Sequence, residues 1–419
     1  MRQLVLLAFS ALFCLSSYLG AEDGTCFVVL NGKTGRILSQ QGAHRKLYPA
    51  STTKIALLAY VLSSNTVDLD QKLVVPAEAV KSLSEKEKAK DNFSKYPSYI
   101  LESVSTIAGF QAGEVITLRD ALYGMMLPSG NDAANTLAYY WGNGSIPACV
   151  DKLNAFVASL GCQDTHFMNP HGLPHPQHYS TAYDLAIMAS YAMQNPDFKK
   201  IVGTASYVKE KTNKQPAVTW GNINKLILPG PFFCELANGI KTGHHAKAQH
   251  CLVASGEIPD RSIIVVLLHC PDRKQMFLVA RKLLTRYLEE PKKEKLIVPA
   301  GKIELERELE GHSTPLSLKT QTPFSISYFP SEEPAIRVVA AWYELRFPIK
   351  EGQEVGALKV FADEKEVAST PLYSAEHRSA TWRQRFLETQ SFMQSHKTIV
   401  FFAAICVIGL AFFVFKRRR

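Results

Sequence analysis

A serine three residues before a lysine, Ser51 and Lys54, is the first candidate for chemistry. A serine hydroxyl is a weak nucleophile at its ordinary pKa and requires a neighbouring base. On a helix, residues three apart lie on the same side, so the Lys54 amine would lie beside the Ser51 hydroxyl. Burial and a second cation such as Lys241 would favour the neutral, proton-accepting amine. The spacing therefore predicts nucleophilic catalysis, although a helix N-cap followed by an exposed lysine has the same pattern.

Two further short motifs carry groups suited to substrate binding. Ser129 and Asn131 follow a proline between two predicted helices. There Ser129 would relay a proton and Asn131 would hold a substrate amide, and helix capping is the competing interpretation. The Lys241 amine and the Thr242 hydroxyl would bind a terminal carboxylate, and Gly243 would let a ligand approach the backbone closely. A plain strand end is the competing interpretation of this third motif, which comprises residues 241–243.

Two backbone N–H groups complete the predicted chemistry. The Ser51 N–H has no partner within a helix that begins there, and the His244 N–H follows the third motif, so the pair could form an oxyanion hole. No motif is specific alone, because residues 33–35, 63–65 and 206–209 repeat them. Residues 33–35 fall in a predicted hairpin turn and residues 206–209 lack a helix start, so context favours the first set.

Hydrophobic periodicity predicts the elements that position these groups. Two strand-like runs flank Asn31–Gly32, which is a hairpin signal, and the helix that begins at Ser51 is apolar on nearly all sides. Strand patterns near the chain's start and after a helical middle predict a sheet completed by both chain ends, with a helical subdomain between them. The predicted helices are 118–126, 133–140, 150–160, 181–194 and 275–288, and the later strands are 239–242, 251–255 and 262–269.

The chain beyond residue 290 has a different pattern. Residues 291–295 are predicted to be a linker, and period-two alternation predicts a small all-β domain over 296–373. An amphipathic segment at 376–397 follows. Before the linker, residues 22–290 form the predicted catalytic domain. Within it, residues 81–95 are dense in Lys, Glu and Ser, which predicts a solvated helix or a mobile insertion.

Both chain ends are predicted to be targeting segments. Residues 1–21 have the basic start, apolar run and small-residue end of a signal peptide. Residues 398–415 are uncharged and apolar, and as a helix they would span about 27 Å of a hydrocarbon core of about 30 Å. Residues 416–419, Lys-Arg-Arg-Arg, would then be a cytoplasmic tail. A buried helix or a surface-lying anchor is the competing interpretation of the apolar segment.

The charge distribution excludes a nucleic-acid groove. Of the formal net charge of +9, five positive charges lie in the two predicted targeting segments, which leaves about +4 on the body without a basic run. The six cysteines of the exported body show no framework spacing, so disulfides and buried thiols both remain open. Three histidines at 171, 175 and 178 have a metal-like spacing, but Pro174 and Pro176 prevent that helix. We expect no metal and no cofactor.

Together, in this order, the motifs resemble those of the penicillin-recognising serine acyl enzymes. The chain is most similar to the D-alanyl-D-alanine carboxypeptidase family, the low-molecular-mass penicillin-binding proteins. The resemblance implies an α/β (α+β) serine β-lactamase/transpeptidase-like domain with an antiparallel sheet and a helical subdomain, followed by a small all-β domain and a C-terminal transmembrane helix. It extends from Cys26 to Leu372, and the segments that carry it are 48–54, 127–134, 169–173, 179–185, 239–244 and 348–356.

The resemblance implies a serine-type D-Ala-D-Ala carboxypeptidase that removes the terminal D-alanine from peptidoglycan stem peptides and is acylated by β-lactams. It would be a single-pass protein of the inner membrane, with its catalytic domain on the periplasmic side. His171, in a loop beside the cleft, would influence deacylation. The other implied roles are the nucleophile Ser51, the base Lys54, proton transfer by Ser129 with Lys241, and substrate binding by Asn131, Lys241, Thr242, Gly243, His244 and Arg273.

Two departures from the family and two rival functions remain. Residues 81–109 are longer and more charged than usual, and Ala248–Gln249 replaces a common Ala-Gly pair. A class A β-lactamase would carry Asp in place of Gly130 and a glutamate in the loop that corresponds to 169–179, which contains no acidic residue. A non-catalytic penicillin-binding scaffold or sensor is the other rival. Sequence leaves open the balance between carboxypeptidase, endopeptidase and transpeptidase action.

Overall fold

A computed structural model describes residues 24–63, 67–84, 86–87, 90 and 95–395. The predicted signal peptide (1–21), membrane segment (398–415) and tail (416–419) lie outside these residues. Within the part that is described, no helix is both long and apolar enough to cross a membrane. The chain divides into two compact units between Glu290 and Pro291.

A five-stranded antiparallel sheet forms the centre of the first unit. Its order is β2-β1-β11-β10-β9, so strands from the beginning of the chain pair with strands that follow the helices. This order confirms the predicted sheet completed by both chain ends. Strand β9 lies at one edge. The strands are β1 (Cys26–Asn31), β2 (Ile37–Gln41), β9 (Ala237–His245), β10 (Gln249–Ile258) and β11 (Arg261–Cys270).

The two faces of the sheet bury different cores, because successive side chains of a strand point to opposite faces. Val28 and Leu30 pack among the helices of the subdomain, whereas Phe27 and Val29 pack on the other face with the last helix of the unit. Among the described cysteines, Cys149, Cys162, Cys234 and Cys251 are buried free thiols.

Helices and short strands form the remainder of the first unit. The helix α1 is buried on nearly all sides, as its sequence predicts. The helices are α1 (Lys54–Val61), α2 (Leu118–Met126), α3 (Asn131–Trp141), α4 (Ile146–Ser159), α5 (Ala182–Ala192), α6 (Pro196–Gly203) and α7 (Arg273–Leu288), and the short strands are β3 (Lys72–Val74), β4 (Ser82–Leu83), β5 (Leu101–Glu102), β6 (Val115–Thr117), β7 (Ser206–Lys209) and β8 (Val218–Gly221).

Several elements differ from the sequence prediction. The predicted helix start at Ser51 is wrong, because Ala50–Thr53 form a 3₁₀ turn and the α-helix begins at Lys54. Helix α6 was not predicted, although Asn195 accepts hydrogen bonds from two N–H groups of its first turn and Pro196 follows, which is a helix-start pattern. The hairpin of β7 and β8 was missed because its strands are only four residues long.

The second unit is an antiparallel β domain with a terminal helix. One sheet has the order β13-β14-β18-β17-β16, and β12 pairs with β15. Strand β12 begins inside the segment predicted to be a linker. The elements are β12 (Lys293–Val298), β13 (Gly301–Arg307), β14 (Leu316–Thr320), β15 (Phe324–Tyr328), β16 (Ile336–Trp342), β17 (Glu354–Ala362), β18 (Lys365–Ser374) and α8 (Trp382–Ser395).

Candidate active site

Ser51 lies in the 3₁₀ turn that leads into α1. Ala50 has a positive φ of 47°, and the hydroxyl groups of the two following threonines close the turn. Thr52 Oγ1 donates to Pro49 O at 2.6 Å, and Thr53 Oγ1 donates to Ala50 O at 2.9 Å. Ser51 itself is partly exposed while its neighbours are buried. The turn therefore presents one hydroxyl at the surface of a cleft.

The amine of Lys54 lies at the centre of four oxygen atoms. Its Nζ is 2.9 Å from Ser51 Oγ, 2.6 Å from Asn131 Oδ1, 3.2 Å from His171 O and 3.5 Å from Ser129 Oγ. A neutral amine has two N–H donors and one lone pair. It can donate to the amide and carbonyl oxygens and accept the Ser51 proton. The structure thus brings the predicted serine and lysine into hydrogen-bond contact.

Burial and charge favour the neutral form of Lys54. Its side chain is fully buried, and desolvation lowers its pKa well below the ordinary value. The nearby ammonium of Lys241 lowers this pKa further, whereas the carboxylate of Asp132 raises it. Burial also lowers the pKa of Lys241 to about 7. Two buried lysines close together thus favour a proton-accepting amine near neutral pH.

The second motif is fixed by the residue that follows it. Ser129 has a positive φ of 70° at the turn before α3. The Asp132 carboxylate accepts hydrogen bonds from the N–H groups of Ala108, Gly109 and Phe110, at 2.7, 2.8 and 2.9 Å. Burial raises the pKa of this carboxyl, while these N–H groups lower it. Asp132 therefore connects the start of α3 to the end of the 81–109 segment, a role that no pattern in the sequence predicts.

The third motif lies on the edge strand β9. Lys241 is buried, and its Nζ donates to Thr242 O at 3.0 Å. A Cβ placed on Gly243 would lie 3.0 Å from Ser51 N and 3.1 Å from Ala50 Cβ, so this strand closely contacts the turn of Ala50–Thr53. Any side chain larger than hydrogen at residue 243 would press against the Ser51 backbone.

A buried loop supports the turn from the opposite side. A Cβ on Gly172, whose φ is +91°, would lie 1.8 Å from Ala50 O. The His171 ring accepts from Leu173 N at Nδ1, so its Nε2 donates to Tyr99 O at 3.1 Å. By the same reasoning His178 Nε2 donates to Thr53 Oγ1 at 3.0 Å, since its Nδ1 accepts from a backbone N–H. Burial lowers the pKa of His178 to about 3, so it is neutral.

Two lobes of one cleft meet at Ser51. The first lobe includes Thr242, His244 and Arg273, so the structure brings the predicted arginine to the site. The second lobe includes Asn131 and also contacts His244. The sequence-predicted residues therefore form one site, with Lys54 and Lys241 buried beneath its surface.

Several cleft residues were missed by sequence reasoning. Thr106 lines both lobes, His250 lines the first and Glu102 lines the second. The His250 ring stacks on that of His244 with centroids 4.3 Å apart. Burial lowers the pKa of both rings, and the positive charge of Arg273 lowers both further. Strand pairing opposite His244 could have identified His250, but no local pattern marks Thr106 or Glu102.

Comparisons with known proteins agree with this geometry. A family model described as D-alanyl-D-alanine carboxypeptidase matches residues 21–272, and one described as penicillin-binding protein 5, C-terminal domain, matches 293–379. The chain is 29% identical to D-alanyl-D-alanine carboxypeptidase DacD of Salmonella typhimurium over 85% of this chain and 86% of that protein.

Two solved structures are similar to this chain over 94% of their own length. Penicillin binding protein 6B from Escherichia coli is 25% identical, with a TM-score of 0.57 over 83% of this chain and 94% of that one. The Streptomyces K15 DD-transpeptidase is 29% identical, with a TM-score of 0.52 over 62% of this chain and 94% of that one. The catalytic unit has the penicillin-binding protein and β-lactamase-like α/β fold. The chain belongs to the D-alanyl-D-alanine carboxypeptidase family of serine peptidases.

Proposed function

We propose that this enzyme removes the terminal D-alanine of peptidoglycan stem peptides through an acyl-enzyme on Ser51. The contact that carries the proposal is that of Lys54 Nζ with Ser51 Oγ, at 2.9 Å. Because burial and Lys241 lower the Lys54 pKa, the amine accepts the hydroxyl proton as the oxygen attacks. The Oγ–carbon bond forms as the carbonyl π bond opens toward oxygen.

The tetrahedral intermediate then collapses. The backbone N–H groups of Ser51 and His244 stabilise its oxyanion. The bond from carbon to the leaving D-alanine nitrogen breaks, and that nitrogen takes the proton held by Lys54. Ser129 Oγ lies 3.5 Å from Lys54 Nζ and relays this proton to the leaving nitrogen, with the help of Lys241.

Binding groups on the two sides of Ser51 orient the peptide. Arg273 and the Thr242 hydroxyl bind the terminal carboxylate in the first lobe, which Gly243 and His244 also line. Lys241 adds positive charge beneath this lobe, and Asn131 in the second lobe binds an amide of the acyl part. Water then hydrolyses the ester with Lys54 again as base. The buried His171 acts on deacylation indirectly, through its carbonyl contact with Lys54.

The same nucleophile accounts for acylation by β-lactams, whose strained amide replaces the peptide bond. A β-lactamase would release this adduct rapidly, and a scaffold would retain it without peptide turnover. The segment 169–179 offers no carboxylate to activate water, which favours a lasting adduct.

Release of D-alanine from diacetyl-L-Lys-D-Ala-D-Ala tests this function. We expect the full-length protein to release one D-alanine from each peptide molecule, and Ser51→Ala to release none. A folded wild-type protein that binds penicillin covalently but releases no D-alanine would instead support the scaffold.

We propose that the enzyme is exported and held at the inner membrane with its catalytic domain, residues 22–290, on the periplasmic side. Residues 1–21 would be the signal peptide, and residues 398–415 would be the membrane span. The β domain, residues 296–373, and then the amphipathic segment, residues 376–397, would precede the membrane span. A protein shortened by removal of residues 398–419 should appear in the soluble periplasmic fraction and should still bind penicillin. Retention of the shortened protein in membranes would contradict the proposed anchor.

A further inference from the structure

The short hairpin of β7 and β8 packs beside the part of the chain that supports the second motif. Two paired strands of four residues are marginally stable alone, so contacts with other elements must hold this hairpin in place. Tyr207 and Trp220 lie opposite each other in the two strands, and their rings stack with centroids 6.2 Å apart. Tyr207 also stacks on Tyr123 of α2 at 4.2 Å, and Trp220 meets the ring of Phe110 edge-on at 5.7 Å. The hairpin is therefore fixed against the helical subdomain.

Two side chains of the hairpin donate hydrogen bonds to the backbone of residues 108–110. Trp220 Nε1 donates to Ala108 O at 3.1 Å, and Gln215 Nε2, in the loop between the strands, donates to Gly109 O at 2.8 Å. Trp220 is only 5% exposed, so water has little access to replace its hydrogen bond. The hairpin thus holds two successive carbonyl groups of this segment.

A buried ion pair fixes the loop of the hairpin beside the same segment. Lys209 Nζ, at the end of β7, donates to Glu114 Oε1 at 2.9 Å, and the two side chains are 1% and 0% exposed. The same carboxylate accepts from Thr212 Oγ1 at 2.8 Å and from Gln215 Nε2 at 2.5 Å. The Gln215 amide has two N–H donors, and it uses one for Glu114 and one for Gly109 O. Its orientation is therefore determined by buried charge.

The opposite side of residues 108–110 faces the second motif. The three N–H groups of this segment donate to the Asp132 carboxylate at 2.7, 2.8 and 2.9 Å. A Cβ on Gly130 would lie 2.7 Å from a backbone nitrogen of the segment, so the motif packs directly on it. The carbonyl groups of the segment bond to the hairpin and its N–H groups bond to the motif. A shift of the segment would therefore move the turn that carries Ser129 and Asn131.

The position of this turn determines two contacts of the proposed base. Lys54 Nζ is 2.6 Å from Asn131 Oδ1 and 3.5 Å from Ser129 Oγ. In the proposed function, on which this inference rests, Lys54 takes the proton of Ser51 and Ser129 relays it. Proton transfer and attack require the reacting groups to be held within a fraction of an ångström of their productive geometry.

We propose that Trp220 and Gln215 are positioning residues for the acylation of Ser51. Neither side chain is among the residues that line the two lobes of the cleft. They act through residues 108–110, which hold the turn of the second motif beside Lys54. The hairpin thus sets the rate of a reaction whose groups it does not touch.

Three single substitutions test the proposal in the full-length protein. Trp220→Phe and Gln215→Ala each remove one hydrogen bond to residues 108–110. The first keeps an aromatic ring, and the second changes a partly exposed residue, so the fold should survive both. Tyr207→Phe is the matched control. It also removes one hydrogen bond of the hairpin, but that bond goes to Asp120 Oδ1 at 2.8 Å, at the start of α2.

The readout is the first-order rate constant of Ser51 acylation at saturating benzylpenicillin, measured together with the final amount of adduct. The final amount reports the fraction of active protein, whereas the rate constant is independent of that fraction. A loss of folded protein alone would therefore leave the rate constant unchanged. We expect Trp220→Phe and Gln215→Ala to acylate about tenfold more slowly, because a displacement of about 1 Å costs about 100-fold and the shift here is smaller. Tyr207→Phe should stay within about twofold of the wild type.

Two results would overturn the inference. One is acylation of both Trp220→Phe and Gln215→Ala within about twofold of the wild type, and the other is equal slowing by Tyr207→Phe. A folded wild type that is not acylated contradicts the proposed function instead, and amide hydrogen exchange then decides the inference. Faster exchange of residues 129–133 in Trp220→Phe and Gln215→Ala, but not in Tyr207→Phe, supports it, and equal exchange in all three overturns it.

Discussion

Gly172→Ala should displace the turn of Ala50–Thr53 that carries Ser51. The loss of stability and of acylation rate should exceed what the positive φ of Gly172 alone would cause. The new Cβ would lie 1.8 Å from Ala50 O and 2.9 Å from Thr53 Oγ1, whereas real Cβ atoms essentially never approach closer than 3.0 Å. Ala50 is buried and directly precedes Ser51. The loop and the turn must therefore separate by about 1.2 Å, and Ser51 moves with the turn.

The cost has two parts that a matched variant separates. An alanine at a positive φ costs about 1–2 kcal/mol, and overpacking in a buried contact costs about 1–3 kcal/mol more. Gly161 has a φ of +92°, against +91° for Gly172, and a Cβ there meets no atom within 4 Å. Gly161→Ala thus carries the conformational cost without the collision.

The assays are urea denaturation and the rate of Ser51 acylation by benzylpenicillin. We expect Gly172→Ala to lose about 1–3 kcal/mol of unfolding free energy beyond Gly161→Ala. Its acylation should slow by about 100-fold, because a displacement of about 1 Å at the reacting atom has that effect. Equal stabilities of the two variants, with acylation of Gly172→Ala within twofold of the wild type, would refute the reasoning.

Three further outcomes follow from the buried charges. Lys54→Met should abolish acylation while circular dichroism stays native, and acylation at the wild-type rate would remove Lys54 as the base. The kcat/KM for peptide hydrolysis should rise with pH as Lys54 loses its proton. At higher pH it should fall, because Lys241 then loses the positive charge that attracts the substrate carboxylate. Burial lowers the pKa of Lys241 to about 7. Lys241→Arg should move the falling limb to higher pH, because a guanidinium stays protonated, and an unmoved limb would contradict this assignment. Asp132→Asn should lower the free energy of unfolding, measured by urea denaturation, by roughly 3 kcal/mol, because an amide NH₂ would face the N–H donors of residues 108–110. A loss below about 1 kcal/mol would contradict the role of Asp132 as the acceptor of these hydrogen bonds.

The contact between Ser51 and Lys54 could be predicted because its geometry is local. Ser51 and Lys54 are three residues apart, and their contact survives the difference between the predicted α-helix and the observed 3₁₀ turn. The sheet order could also be predicted, since strand patterns lie at both ends of the first unit. These features depend on short-range spacing and hydrophobic periodicity.

The supporting contacts could not be predicted, because they join residues far apart in the chain. Gly172 meets Ala50 and His178 meets Thr53 across more than a hundred residues. Asp132 lies inside a recognised motif, yet its partners in 108–110 have no side-chain signature, since they contribute only N–H groups. Glu102 is one of many charged residues in its segment, and only the fold distinguishes it.

Mapping the covalent adduct of benzylpenicillin on the full-length protein tests the central claim most directly. Intact mass over time, followed by peptide mapping, should show one lasting adduct that lies on Ser51, because this hydroxyl adjoins the buried amine of Lys54 at the cleft surface. An adduct on another residue, or no adduct at any time on a folded protein, would contradict Ser51 as the nucleophile.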